Sequence, residues 1–185
     1  MKTNFKLHLS TSKDSLRPVM QSILLTQKEF VATDAHILSV VPNELILDAD
    51  SIELIPETGL LIDAQIWKSI YNADYIYLVR DNGLIYIYAT FKNKPTLNFP
   101  LQLHGENYNN FPKWEQVIPQ ESARESVAKV GINAKLLMNL SDALNAPNGF
   151  KMEFNSTNKG IICTPINHDY KAVPYGLIMP IKVDW

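Results

Sequence analysis

A segment of this chain repeats after 70 residues (132 − 62), and the repeat constrains the possible fold more than any other feature. Ile62-Asp-Ala64 corresponds to Ile132-Asn-Ala134, and each tripeptide opens a stretch with apolar residues at i, i+3 and i+4. Asp63 and Asn133 are residue types that cap helix N-termini. Each copy therefore predicts a strand, a capped helix, a strand, a turn and a strand, and the chain should be built from repeated β-α-β-β-type units.

The two predicted helices are surrounded by many strand signals, so the fold class should be α+β. Their apolar positions are Ile66, Trp67, Ile70 and Tyr71 in the first helix and Leu136, Leu137, Leu140 and Leu144 in the second. Alternating or β-branched runs predict strands within residues 5–9, 19–25, 30–41, 75–80, 84–91, 96–103, 150–154, 161–164 and 175–183. The Asn82-Gly83 pair predicts a hairpin turn, because both residue types tolerate positive φ.

Composition and motifs argue against several classes of protein. Of 185 residues, 46% are hydrophobic and 19% charged, with a net charge of −2, which is typical of a globular domain without a strong basic excess. Cys163 is the only cysteine, and we expect it to be a buried, inert thiol. The four histidines lack metal-ligand spacing, and no phosphate loop or nucleophile elbow is present. We expect a cytoplasmic protein that is not an enzyme and has no cofactor or metal. A hydrolase without a known motif stays a remote alternative.

Three short strings resemble segments of the bacterial sliding clamp, the beta subunit of DNA polymerase III. They are Val31-Ala-Thr-Asp-Ala-His-Ile-Leu-Ser-Val40, Phe111-Pro-Lys-Trp-Glu-Gln-Val-Ile-Pro119 and Leu177-Ile-Met-Pro-Ile-Lys-Val183. In that family the segments occur in this order and converge on a hydrophobic groove that captures short peptides from polymerases and clamp loaders. The chain resembles a divergent and shortened member of the family.

The resemblance implies a DNA-clamp fold of three repeat units, arranged as one full domain and a half domain. Residues 1–118 are similar to the family's middle domain, and residues 127–185 to the C-terminal half of its last domain. Residues 119–126 are polar, include a proline and predict the linker. The first unit should lack its helix, because residues 10–16 leave no room for one.

By position in the matching strings, the resemblance also implies the residues of the peptide groove. Ala35 stands where the family has glycine, and Ile37 and Gln116 stand where it has arginines, so we expect a groove that is less basic and a ligand that is less acidic. Trp185 lies past the position at which chains of the family usually end, and we hypothesise that it folds over the groove and competes with a bound peptide. The predicted groove residues are Met20, Thr33, Ala35, His36, Ile37, Leu38, Pro112, Gln116, Val117, Leu177, Ile178, Met179, Pro180 and Ile181.

In this family the helices line the hole through which DNA passes. The candidate DNA contacts are Lys68, Lys135 and Arg17. Each predicted helix contributes only one lysine, which is little positive charge for binding phosphates. The alternative is that Lys68 and Lys135 are solvated surface residues without a role in DNA binding. The resemblance implies a processivity factor that binds short motifs of polymerase or clamp-loader-type proteins, contacts double-stranded DNA and forms a homo-oligomer. The alternative is a clamp-derived adaptor or competitor that binds such peptides and never encircles DNA.

Overall fold

The computed structural model describes residues 4–105, 110–119, 127, 129–156, 159–166 and 172–182. Two antiparallel sheets account for all eleven strands within these residues, one of eight strands in the order β8-β4-β1-β2-β3-β11-β10-β9 and one of three in the order β5-β6-β7. The strands are β1 (Ser22–Leu25), β2 (Glu29–Thr33), β3 (Ile37–Pro42), β4 (Leu60–Asp63), β5 (Tyr75–Asp81), β6 (Leu84–Phe91), β7 (Lys94–Pro100), β8 (Gln102–Leu103), β9 (Phe150–Glu153), β10 (Ile161–Pro165) and β11 (Tyr175–Ile178).

Both helices of the internal repeat form where the sequence predicts them. They are α2 (Ala64–Ile70) and α3 (Ala134–Ala143). The Asp63 side chain accepts a hydrogen bond from the Gln65 backbone N–H, and Asn133 accepts from the first turn of α3 in the same way, which confirms both caps. A further helix, α1 (Ala49–Glu53), was not predicted, because five residues are too few to display a helical period.

The helices bury their apolar faces in one hydrophobic cluster shared by both sheets. Trp67 and Ile70 of α2 and Leu140 of α3 are fully buried. Helix α3 packs against β3 and β11. A Cβ on Gly176 would lie 2.6 Å from the Leu38 carbonyl oxygen and 2.6 Å from Leu140 Cδ1, so the close approach of α3 to the sheet requires glycine there.

The N-terminal segment corrects one strand prediction and confirms one absence. Residues 5–9 were predicted as a strand, but Leu7–Leu9 form a 3₁₀ turn. The Phe5 carbonyl oxygen accepts a hydrogen bond from Trp67 Nε1–H at 2.8 Å, and Lys6 Nζ forms an ion pair with Asp142 Oδ1 at 2.8 Å. The N-terminal segment therefore contacts both α2 and α3. Among residues 4–21 there is no α-helix, as expected for the first unit.

Several predicted strands are shorter or divided in the structure. The run 19–25 begins with the 3₁₀ turn Pro18–Gln21 before β1, the run 30–41 bends into the β2–β3 hairpin, and the run 96–103 divides into β7 and β8. The final strand ends at Ile178. The predicted Asn82-Gly83 turn is confirmed, with φ of 49° and 82°. Apolar continuity therefore identified strand-rich regions but did not locate the turns within them.

Strand β11 joins the C-terminal part of the chain directly to the first unit. It pairs with β3 in antiparallel register, with Leu177 opposite Leu38 and Ile178 opposite Ile37. The eight-stranded sheet therefore continues across the predicted boundary. Of the predicted linker only Pro119 lies within the described residues, and the division into domains stays a prediction. This pairing places the end of β11 beside the β2–β3 turn.

Candidate functional site

A groove of about 780 Å³ opens where the β2–β3 turn, the end of β11 and the segment 112–119 meet. Its lining is mainly apolar, which is typical of a site that binds through a few buried side chains. The lining residues are Arg17, Met20, Thr33, Ala35, His36, Ile37, Leu38, Pro112, Trp114, Gln116, Val117, Ile118, Pro119, Lys159, Gly160, Leu177 and Met179.

The first wall of the groove is the β3–β11 strand pair with the turn that precedes β3. Leu38 and Leu177 are cross-strand partners, and both line the groove and belong to a second hydrophobic cluster beneath it. Past the end of β11 the backbone N–H of Met179 donates to the His36 carbonyl oxygen at 2.8 Å, which keeps Met179 at the groove. This wall is therefore fixed by backbone pairing.

The turn in this wall is held by the side chains of Thr33 and Asp34. Asp34 Oδ1 accepts the backbone N–H groups of His36 and Ile37, each at 2.8 Å, and Thr33 Oγ1 donates to the Ile37 carbonyl oxygen at 2.7 Å. Ala35 has φ of 75°, in the left-handed region that L-residues other than asparagine rarely adopt. The glycine-like backbone is retained although the residue is alanine, and strain of this kind is concentrated at functional sites.

The second wall is a short segment anchored by aromatic side chains. Trp114–Val117 form a 3₁₀ turn, and Phe111 and Trp114 are 6% and 7% exposed in the second cluster, packed with Leu38 and Leu177. His104 Nε2 accepts the Phe111 backbone N–H at 2.9 Å, while its Nδ1 lies 2.7 Å from the Thr58 carbonyl oxygen. These contacts tie the segment to the sheet without any strand pairing.

The charged side chains that line the groove are all cationic. Arg17 and Lys159 lie in the lining, and no carboxylate is among the described lining residues. The groove is thus positively charged within a chain of net charge −2. That it is less basic than the groove of the resembled family stays a prediction.

Two acidic residues, at the start of β2 and in the second wall, affect the pKa values of groups near them. Burial, with the Glu115 carboxylate adding to it, raises the pKa of Glu29, while Lys28 opposes the shift. Burial, with Glu29 and Glu115 adding to it, raises the pKa of Tyr175 to about 12. Glu29 begins β2 and Glu115 lies in the 3₁₀ turn, so their repulsion acts between the sheet and the second wall.

The structure brings eleven of the fourteen predicted groove residues to this one groove. Three predicted residues lie elsewhere: Ile178, Pro180 and Ile181. Ile178 is fully buried in the main core, because successive residues of a strand face opposite sides of the sheet. Pro180 follows the end of β11, and Ile181 turns away to bridge Gly131. These three positions are not part of the groove lining, and peptide contact by the other eleven residues stays a prediction.

Six lining residues were not predicted as groove residues. One of them, Arg17, was predicted as a DNA contact instead. Trp114, Ile118 and Pro119 lie within a string that the resemblance quoted, so that string was the available signal. Lys159 and Gly160 precede β10 and carry no local signal, because only the β10–β11 pairing brings them to the groove. Gly160 also fits closely, since a Cβ there would lie 3.2 Å from Leu177 Cδ2.

The candidate DNA contacts occupy three different positions. Lys68 is exposed on α2 and Lys135 is exposed near the start of α3. Arg17 lies on the groove rim, where its guanidinium Nε is 3.7 Å from Asp14 Oδ2. Trp185 lies outside the described residues. The DNA contacts therefore stay a prediction, and the position of Arg17 also makes it a candidate groove contact.

Other sites are few in the part of the chain that the structure describes. No group of three or more His, Cys, Asp or Glu side chains there could hold a metal ion. None of the described helices has both the length and the apolar character needed to cross a membrane. Cys163 is fully buried, and burial raises the pKa of its thiol to about 12, which keeps it protonated.

Comparison with known proteins identifies the fold. No protein-family model and no curated protein sequence matches this chain. Among solved structures, the H. pylori beta clamp in complex with diflunisal matches with a TM-score of 0.60 and 14% identity over 96% of this chain and 62% of the clamp. The Bacillus subtilis DNA polymerase sliding clamp matches at 0.57 and 17% over 100% and 64%. The Caulobacter crescentus clamp matches at 0.58 and 13% over 99% and 65%.

Sequence identities this low establish the fold alone. The chain has the DNA-clamp fold, which confirms the fold predicted from the resemblance. It spans less than two thirds of the length of these clamps.

Proposed function

We propose that this chain, with the fold of bacterial sliding clamps, is a non-catalytic replication factor that binds short linear peptide motifs in the groove. The proposed ligand segments belong to polymerase or clamp-loader-type proteins. The observation that carries the proposal is the convergence of Met20, the β2–β3 turn, the segment from Pro112 and the end of β11 on one apolar groove.

The groove has the physical properties that short-peptide recognition requires. A peptide in extended conformation would place two or three apolar side chains between the walls, against Met20, Trp114 and Leu177. Full burial of each anchor contributes about 1.5–3 kcal/mol, and ordering the peptide offsets part of the sum. We therefore expect dissociation constants between roughly the millimolar and the micromolar range.

The role in replication follows from the fold and is also a proposal. A clamp-like chain would tether its peptide-bearing partner to double-stranded DNA, with Lys68 and Lys135 near the phosphates and with copies of the chain closing a ring. The second candidate is an adaptor or competitor that binds the same peptides without encircling DNA. It is supported by the absence of an α-helix in residues 4–21 and by the few lysines on α2 and α3.

Oligomeric state and DNA retention separate these two candidates. Light scattering would measure the mass in solution, and a pull-down would compare retention on closed circular and linear DNA of the same length. A ring-forming clamp gives an oligomer that is retained on the circle and slides off the linear ends. A monomer that is retained on neither form would support the adaptor.

The groove itself is tested with a library of random 12-residue peptides displayed on phage. Met179 is 37% exposed at the groove, and Met138 is 69% exposed on α3 outside it, so Met179→Asp and Met138→Asp are matched variants. We expect wild type and Met138→Asp to enrich the same apolar motif and Met179→Asp to lose it. The proposal is overturned if wild type enriches no motif, or if Met179→Asp retains it.

A further inference from the structure

A second, polar cavity of about 460 Å³ adjoins the apolar groove. Arg17 and His36 line both spaces, so they form the rim between them. We call this second cavity the polar chamber. Its other walls come from the N-terminal segment, with Lys13, and from the first turns of α3, with Lys135. An extended peptide that leaves the groove over this rim would enter the chamber directly.

The carboxylates of the polar chamber already have partners within the chain. Asp34 Oδ1 accepts two backbone N–H groups of the β2–β3 turn, and Asp14 accepts the Leu16 backbone N–H at 2.9 Å and lies near Arg17. By contrast, Lys13 and Lys135 are exposed and form no ion pair with any other described residue. The chamber therefore presents two ammonium groups without an ion-pair partner among the described residues, beside the Arg17 guanidinium, whose Nε lies 3.7 Å from Asp14 Oδ2.

The distribution of charge indicates what that group is. The chain as a whole has a net charge of −2, yet the groove and the chamber together are lined by Lys13, Arg17, Lys135 and Lys159, against two carboxylates that are engaged in local contacts. A cationic site of this kind favours an anionic ligand and disfavours a cationic one. The apolar floor next to it requires that the anion be attached to an apolar partner.

We propose that the polar chamber binds the side-chain carboxylate of an aspartate or glutamate that flanks the apolar anchors of the bound peptide, with Lys135 and Arg17 as its contacts. This inference rests on the proposed function and adds a preference for acidic motifs. Lys135, considered above as a DNA contact, acts here as a specificity residue. An ammonium group and a carboxylate in a partly enclosed site form a charge-assisted hydrogen bond that a neutral side chain cannot match.

The test uses the same peptide library with a second pair of variants. Lys13→Gln/Lys135→Gln removes the two chamber lysines, and Lys28→Gln/Lys92→Gln removes two exposed lysines elsewhere, so that both variants have the same net charge. In wild type and in the control we expect Asp or Glu to be enriched on one fixed side of the apolar anchors. In the chamber variant the anchors remain and the acidic preference disappears.

Affinities of one enriched peptide and of its Glu→Gln or Asp→Asn form then measure the contact. We expect the neutral peptide to bind wild type about tenfold more weakly, and to bind the chamber variant within twofold of the acidic peptide. Motifs with apolar anchors but no acidic preference would overturn this inference and leave the proposed function standing. Equal acidic preference in both variants would also overturn it. Failure to enrich any motif would overturn the proposed function and this inference together.

Discussion

The two walls of the groove are built on different principles. The first wall, β3 with β11 and the β2–β3 turn, is held by backbone pairing that continues across an eight-stranded sheet. The second wall, the segment 111–118, has no strand partner and is held by Phe111 and Trp114 in the smaller hydrophobic cluster and by a bond to His104. Changes in the first wall should therefore affect mainly global stability, whereas changes in the second should affect both stability and peptide binding.

The largest effect is expected from Trp114→Ala in the second wall. Truncating a buried tryptophan costs about 3–5 kcal/mol, and this variant should also detach the wall from the sheet and abolish peptide binding. Urea unfolding and fluorescence anisotropy with a library-selected peptide measure the two effects. Trp114→Phe, the control, retains most of the packing and should bind within about tenfold of wild type. A Trp114→Ala chain that binds normally would contradict the role of this side chain as an anchor.

The counterpart in the first wall is Gly176→Ala. The added Cβ meets the Leu38 carbonyl oxygen at 2.6 Å, and this oxygen belongs to a paired strand that cannot shift cheaply, so we expect a loss of about 2–3 kcal/mol in unfolding free energy. Gly160→Ala is the matched control, since its nearest neighbours are flexible side chains of Leu177 and Met179 and the loss should be below about 1 kcal/mol. Equal losses in unfolding free energy for the two variants would show that contact with the paired backbone of the first wall is no more costly than contact with flexible side chains.

Strain in the turn of the first wall predicts a stabilising change. Ala35 has φ of 75°, and glycine adopts this conformation without the steric cost of a Cβ. Ala35→Gly should raise the unfolding free energy by about 1 kcal/mol. The same substitution at Ala134, which begins α3, should lower it by up to about 1 kcal/mol. Thermal and urea unfolding report both signs, and destabilisation by Ala35→Gly would show that the turn is not strained.

The smallest effect concerns Glu29 at the start of β2, which faces the Glu115 carboxylate of the second wall. The pKa of Glu29 is raised in the folded state above its usual 4.5, so the ionised carboxylate lowers the unfolding free energy. This loss of stability is absent below pH 4.5 and becomes complete as pH rises through the folded-state pKa. Glu29→Gln should therefore be more stable than wild type at pH 7.5 and lose this advantage at pH 4. Urea unfolding at both pH values, with the exposed Glu44→Gln as control, measures it. An advantage that is equal at both pH values would contradict this account.

Local elements of the fold and the residues of the groove differ in how far the sequence could predict them. Helices α2 and α3 and the Asn82-Gly83 hairpin follow local rules, so their positions were predicted correctly. Leu177 and Met179 were placed at the groove by a resemblance, but the resemblance alone did not separate them from Ile178, which needs the strand register. Lys159 reaches the groove through the pairing of β10 with β11, and the chamber brings together Lys13 and Lys135, which are more than 100 positions apart. No local pattern encodes these contacts.

The most direct test of the account maps a bound peptide onto the chain. Amide resonances of the isotope-labelled protein would be followed while a library-selected peptide is added. We expect shifts concentrated at Thr33–Leu38, at Trp114–Val117 and at Leu177–Met179, with little change in the β5–β6–β7 sheet. Shifts confined to that three-stranded sheet, or spread over separate surfaces with the groove unchanged, would show that these segments do not form one peptide site.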